Sequence, residues 1–156
     1  MGFKAKRVDK SRPTTIAINH DEYYAKHVGK MSDGRQFFLT TPFCPKRADN
    51  EGCEFVALFE FTSEGNFSVA TIDRFGPRAQ GDGEAVLRGI DKRLADLGPV
   101  SRQRIEVRPF STEAFGTIFG LITRAPEDEG ERWAIELMPG NYMAFFEPWD
   151  SGDYDT

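Results

Sequence analysis

The sequence predicts an α+β protein: a mostly antiparallel sheet of about six to eight strands with one α-helix, over about residues 82–97, packed on it. Three observations predict this class. Apolar runs of strand length are separated by hairpin-length turns, only one segment has helical periodicity, and the order along the chain is strands, one helix, strands.

The length and composition indicate one folded unit. The chain has 156 residues, 39% of them hydrophobic, and 14 are phenylalanine. Such a composition is far from that of a disordered chain, and a domain of this size can bury a core without disulfides or metals. We therefore expect a single α+β domain over residues 13–156, preceded by a flexible basic lead over residues 1–12.

The first strands are predicted around an Asp-Gly turn. Residues 14–18 are β-branched and apolar, as in a short edge strand. Residues 22–31 and 35–43 flank Asp33-Gly34, and both turn residues tolerate positive φ, which favours a hairpin.

The next hairpin is predicted to contain a central strand. Residues 54–61 and 66–75 are strand-like and flank a short Ser-Glu-Gly turn. By the period of two, one face of the first strand carries Phe55, Ala57, Phe59 and Phe61, and the other carries Val56 and Leu58. Because both faces are apolar, this strand should be covered on both sides.

The helix is predicted from the residues at its two ends and from an apolar stripe along one face. Asp82 is a good N-cap, Gly98 stands at the C′ position, and Pro99 prevents continuation. The apolar stripe consists of Val86, Ile90, Leu94 and Leu97, widened by Leu87. The solvated side carries Arg88, Lys92, Arg93 and Asp96.

Further strand-like runs follow the helix, at residues 104–110, 114–124, 131–138 and 142–147. Pro148 ends the last run. Five aromatic residues between positions 142 and 154 argue against a disordered acidic tail. We expect Trp149 and Tyr154 to fold back onto the sheet, with the nearby carboxylates facing water or a partner.

Charge is distributed unevenly. Residues 1–47 carry a net charge of +6 and residues 48–156 a net charge of −11, which together give the −5 of the whole chain. An acidic body repels phosphate, so nucleic-acid binding is not expected outside the basic lead. No apolar run reaches the roughly 20 residues that span a bilayer, and no secretory signal is recognised, so we expect a cytoplasmic protein that does not bind membranes.

The best metal candidates in the middle of the chain are His20, Asp21, Glu22 and His27. The two histidines are seven positions apart, and on a strand an odd spacing places them on opposite faces. A half-exposed polar segment on an edge strand is the alternative. Cys44 and Cys53 are separated by eight residues rather than the roughly two to four of structural zinc ligands, so a free pair of thiols is expected.

The acidic end of the chain does not match a calcium loop, because Gly152 and Tyr154 stand where ligand oxygens belong. No complete catalytic set and no cofactor motif is present, so neither an enzyme nor a cofactor is expected. The end is instead a candidate interaction surface, composed of Glu147, Trp149, Asp150, Asp153, Tyr154 and Asp155.

Four stretches resemble the bacterial formate hydrogenlyase regulatory proteins of the HycA type: INHDEYYAKHVGKMSDGRQFF, FVALFEFTSEGNF, FGLI and the closing EPWDSGDYDT. The resemblance covers roughly residues 16–156, and the closing stretch is its most specific part. It implies a small cytoplasmic protein that acts by protein contact, as a negative regulator of a transcriptional activator. It implies no catalytic residues.

Three function hypotheses follow. The first is a non-enzymatic regulatory protein, monomeric or homodimeric, that binds another protein. The second is an immunity-type inhibitor whose acidic body complements a basic toxin. The third is a metal-binding or enzymatic protein that uses His20, His27 and the nearby carboxylates.

Overall fold

The computed structural model describes residues 12–48, 51–77 and 83–156. Within these ranges the strands are β1 (Ile16–Ile18), β2 (His27–Met31), β3 (Gln36–Thr40), β4 (Phe43–Cys44), β5 (Cys53–Phe61), β6 (Phe67–Gly76), β7 (Val100–Arg102), β8 (Ile105–Val107), β9 (Phe110–Ala114), β10 (Thr117–Arg124), β11 (Ala134–Met138) and β12 (Ala144–Phe145). The helix is α1 (Gly83–Leu97). The predicted N-cap Asp82 and the predicted lead, except Arg12, lie outside the described residues.

The strands form three antiparallel sheets. The largest has the order β4-β5-β3-β2-β7, with β6 also paired to β5. A four-stranded sheet has the order β12-β11-β10-β9, and β1 pairs with β8 alone. The predicted α+β class is confirmed.

The described strands number twelve, more than expected, because predicted runs divide and because β7 lies outside every predicted run. The run 104–110 becomes β8 and the start of β9, which belong to different sheets. Pro109 lies between them and has no N–H to donate to a ladder. The run 114–124 is interrupted at Phe115-Gly116, where both φ angles are positive (53° and 70°), as in a tight hairpin turn.

Strand β5 is covered on both faces, as predicted. Phe55, Ala57, Phe59 and Phe61 lie in the main core, which is shared with β1, β8 and the four-stranded sheet. Val56 and Leu58 lie in a second cluster beneath α1. The two-residue periodicity of this segment therefore identified the two layers correctly.

Helix α1 covers the second cluster with Val86, Ile90, Leu94 and Leu97. Gly98 follows at φ +76°, as predicted for a C′ glycine. Two expectations were wrong. Leu87 is 61% exposed, so it does not widen the stripe, and Arg93 is held against β6 by two hydrogen bonds to Asp73 (2.7 and 2.8 Å) instead of facing solvent.

The predicted strand 22–31 begins only at His27. Asp21 prevents an earlier start, because its carboxylate accepts the backbone N–H groups of Tyr23 (2.8 Å) and Ala25 (3.0 Å) and bends the chain. The Asp33-Gly34 hairpin is present, and only Gly34 has positive φ (+92°). Asp33 accepts the N–H of Arg35 at 3.1 Å instead. None of the described helices has the length and apolar character needed to cross a membrane.

Candidate functional site

The C-terminal segment, residues 147–156, is fixed to the fold through its backbone. Ala17 donates its N–H to the Trp149 carbonyl (2.9 Å) and Asn19 donates to that of Gly152 (3.0 Å). Ala144 and Asp155 exchange two backbone hydrogen bonds at 2.9 and 2.8 Å. The segment therefore lies along β1 on one side and closes on β12 on the other.

Side chains strengthen this attachment. Tyr154 donates its hydroxyl proton to Asp21 Oδ2 (2.6 Å) and accepts the N–H of Tyr24 (3.1 Å). Trp149 and Tyr154 both pack against the main core, so the expectation that they fold back is confirmed. Within the described residues, the buried ring nitrogen of Trp149 has no hydrogen-bond partner.

Gly152 makes the close approach of the segment possible. It is buried at φ +82°, a conformation that favours glycine, and an added Cβ would collide with the side chain of Asn19. Asn19 in turn donates its side-chain amide to the Ser151 carbonyl at 3.0 Å. The turn at residues 150–153 is thus shaped to pack against the side chain of Asn19, just after β1.

The Asp21–Tyr154 contact shifts the pKa of both groups. Burial alone would raise the pKa of Asp21, but the hydrogen bonds from Tyr154, Tyr23 and Ala25 stabilise the carboxylate and lower it. Burial and the neighbouring Asp21 raise the pKa of Tyr154 to about 12. At neutral pH the pair is therefore a phenol donating to a carboxylate.

Four exposed carboxylates stand along this segment, and the Asn19 side-chain amide also donates to Asp153 Oδ1 at 3.4 Å. Glu147, Asp150, Asp153 and Asp155 are all exposed. In the parts of the chain that the structure describes, none of them forms an ion pair. We call these four carboxylates the acidic face. A backbone held on two sides presents them in a fixed arrangement.

Two cavities flank the acidic face. One, of about 560 Å³, is lined by Asn19, His20, Asp21, Tyr23, Gly152, Asp153, Tyr154 and Thr156. The other, of about 360 Å³, is lined by Thr15, Ile16, Ala17, Glu106, Glu147, Pro148, Trp149 and Asp150. Tyr23 in the first cavity is 65% exposed, so a large aromatic ring stands beside the negative charges.

The metal candidates do not form one cluster. His20 and Asp21 line the first cavity, whereas His27 is in β2, with its Nδ1 3.3 Å from the Arg102 guanidinium. Burial and then the positive charge of Arg102 lower the pKa of His27. Among the described residues, no group of three or more His, Cys, Asp or Glu side chains is placed to hold a metal ion.

Several residues of this region could not be identified from local sequence patterns. Asn19 and Arg104 hold the segment, the latter through its guanidinium to the Asp150 carbonyl at 2.6 Å. Their partners lie more than forty positions away, beyond the reach of local patterns. The exposure of Tyr23 was also unexpected. The predicted strand at residues 22–31 included Tyr23, whereas β2 begins only at His27.

Comparison of this chain with protein-family models, with curated proteins and with solved structures gave no match.

Proposed function

We propose that the protein is a non-enzymatic regulatory protein that acts by binding another protein, and that the acidic face contacts basic residues of this partner. The observation that carries the proposal is the attachment of the C-terminal segment. Four exposed carboxylates stand on a backbone whose carbonyl and amide groups bond to Ala17, Asn19 and Ala144.

A fixed backbone favours binding because little conformational entropy remains to be lost on association. Charge complementarity with a basic surface accelerates encounter and selects against acidic partners. Carboxylates used only for solubility need no such attachment. The hydrogen bonds of Asn19 and Tyr154 place the charges relative to one another before a partner arrives.

Tyr23 supplies the apolar contact that charge alone does not. Its ring stacks on Tyr24 with the centroids 4.1 Å apart and stays largely exposed. Tyrosine is enriched among the residues that dominate interface energies, since it offers a large rigid surface and a polar end. We place it at the centre of the interface, with the acidic face as its rim.

The resemblance to the HycA-type regulatory proteins supports a transcriptional activator as the partner and negative regulation as the outcome. The acidic face favours a second candidate as well, an immunity-type inhibitor of a basic toxin. Both use the same surface. The identity of the bound protein distinguishes them.

Affinity capture from a lysate of the producing cells tests the proposal with three immobilised proteins. They are the wild-type chain, a variant with Glu147→Gln, Asp150→Asn, Asp153→Asn and Asp155→Asn, and a control with Glu64→Gln, Glu113→Gln, Glu127→Gln and Glu129→Gln. All eight carboxylates are exposed, and both variants lose the same charge.

We expect one protein to be retained by the wild-type chain and the control, and at least ~10-fold less by the acidic-face variant. Equal retention by all three proteins would contradict the use of this surface. Retention of nothing beyond a blank matrix, together with turnover of a substrate, would overturn the non-enzymatic assignment.

A further inference from the structure

The two cysteines of the chain face each other across paired strands at the edge of the largest sheet. β4 pairs antiparallel with the start of β5, and the register places Cys44 opposite Cys53. Both are free thiols in this structure. Residues directly opposite each other in such a pair have their side chains on the same face of the sheet.

The pairing brings the two backbones to the separation that a disulfide needs. Phe55 donates its N–H to the Pro42 carbonyl at 3.0 Å, and because hydrogen-bonded positions alternate, Cys44 and Cys53 form the next hydrogen-bonded pair. The Cα atoms of such pairs are about 5.5 Å apart. Disulfides span Cα separations of roughly 4.4–6.8 Å.

Gly52 allows this approach at the base of the loop. It has φ +82°, and a Cβ at this position would lie 2.6 Å from the Cys44 carbonyl oxygen. No other residue type fits there without moving the two strands apart. The residue before Cys53 is thus fitted to the backbone of Cys44.

The two thiols differ in access. Cys44 is partly exposed, whereas Cys53 is 9% exposed. Both line a cavity of about 460 Å³, together with Phe43, Pro45, Lys46, Glu51 and Glu54. A thiol-reactive molecule therefore meets Cys44 first, with Cys53 beside it.

We propose that Cys44 and Cys53 form a reversible disulfide, and that this dithiol is a modification site for low-molecular-weight disulfides. The pairing is independent of the acidic face and of any protein partner. It uses the accessible thiol as the attacking group and the buried thiol as the resolving group.

The reaction proceeds in two exchanges. Cys44, as the thiolate, attacks one sulfur of a disulfide RSSR; a mixed disulfide between Cys44 and RS forms, the original S–S bond breaks, and RS⁻ leaves. Cys53, as the thiolate, then attacks the Cys44 sulfur and expels the second RS⁻. The two RS⁻ groups take up the two protons that the cysteines released, so RSSR is reduced by two electrons and the protein is oxidised by two.

Treatment of the full chain with glutathione disulfide under native conditions tests this proposal by intact mass spectrometry. We expect a monomer that has lost two hydrogens and regains them with dithiothreitol. Because the new bond closes the chain between β4 and β5, the melting temperature should rise on the order of 5 °C. A stable glutathionyl adduct, a disulfide between two chains, or two thiols that remain reduced would overturn the proposal.

Two variants distinguish the effect of the close approach of β4 and β5 from the intrinsic reactivity of the two thiols. Cys53→Ser should stop at one glutathionyl group on Cys44. Gly52→Ala keeps both thiols but separates the strands, so it should form the disulfide at least ~10-fold more slowly. An unchanged rate in Gly52→Ala would contradict the role of the close backbone approach.

The unfolded wild-type chain gives a measurement that does not depend on any variant folding. In glutathione buffers, the equilibrium constant for disulfide formation should be at least ~10-fold larger for the folded chain than for the chain unfolded in urea. An equal or smaller constant in the folded chain would show that the native geometry does not favour the bond.

Discussion

Tyr154 donates a hydrogen bond to Asp21 at 2.6 Å, across 133 positions of the chain. The contact joins the last residues of the protein to the loop that follows β1. Asp21 was a metal candidate and Tyr154 an interaction candidate, yet the two side chains are hydrogen-bonded to each other within the fold. The contact makes the end of the chain part of the fold.

Tyr154→Phe should lower the free energy of unfolding by about 1.5–3 kcal/mol at neutral pH, because a hydrogen bond to a charged group is lost. Urea denaturation measures the change. Tyr23→Phe is the matched control, since its hydroxyl is exposed, and it should stay within about 0.5 kcal/mol of the wild type. Equal effects of the two substitutions would show that the Asp21 contact carries no stability.

The same variant should change the dependence of stability on pH. The folded pKa of Asp21 is lowered, so its contribution is present above the unfolded pKa and is lost as pH falls through the folded value. The difference between wild type and Tyr154→Phe should therefore shrink in acid. A difference that stays constant from neutral pH to about pH 2 would contradict a charge-assisted bond.

Tyr142 should make the protein lose stability in alkali. Its hydroxyl is hydrogen-bonded to Thr40, and burial raises its pKa to about 12. A raised folded pKa gives stability that is complete below the unfolded value of about 10 and is lost as pH rises towards 12. Urea midpoints across this range should fall more steeply for the wild type than for Tyr142→Phe, and parallel curves would contradict the assignment.

Arg93→Ala should destabilise the protein by about 1–2 kcal/mol, because Asp73 on β6 loses two charge-assisted hydrogen bonds to α1. Lys92→Ala is the matched control. Its only described ion pair is an exposed one with Asp96, and we expect less than about 0.5 kcal/mol. Each substitution also removes a contact with Asp96, and arginine and lysine have similar helix propensities, so the difference between the two variants reports mainly the Asp73 contact.

Phe115 occupies the first position of a tight turn at φ 53°, a conformation that costs energy for a bulky residue. Phe115→Asn should be more stable than Phe115→Ala by about 0.5–1 kcal/mol, since Asn tolerates this region. Both substitutions remove the ring that stacks on Phe55, so the comparison reports the backbone alone. Equal melting temperatures would show that the turn relaxes.

Local patterns predicted the layers of the fold well. The alternation along β5 and the stripe of α1 follow from which face meets the core, and that information lies within a few residues. The pairing of strands that are distant in the sequence does not follow from such local information. Ile16 pairs with Val107, and no periodicity in either segment indicates this.

Most of the errors arise where a side chain depends on another element of the fold. A stripe gives the direction of the buried face of a helix but not its width, which depends on the neighbouring strands, so Leu87 was misplaced. Arg93 was assigned to solvent because its partner Asp73 lies on another element. The Phe115-Gly116 turn has no Asn or Asp to mark its first position.

Removal of residues 148–156 tests the structural role of the C-terminal segment as a whole. The deletion eliminates the hydrogen bonds to Ala17, Asn19 and Ala144 and exposes the core beneath Trp149 and Tyr154. We expect a lower melting temperature for the entire protein, measured by circular dichroism. An unchanged melting temperature would mean that the segment is external to the fold.

The affinity of the captured partner for the acidic-face variant tests the central claim most directly. The equilibrium dissociation constant is measured for the wild type, this variant and the matched control, after equal melting temperatures have shown that all three proteins are folded to the same extent. The account predicts that neutralising the acidic face weakens binding by about 10- to 100-fold, mainly through slower association, while the control stays within about twofold. Equal dissociation constants for all three proteins would contradict it.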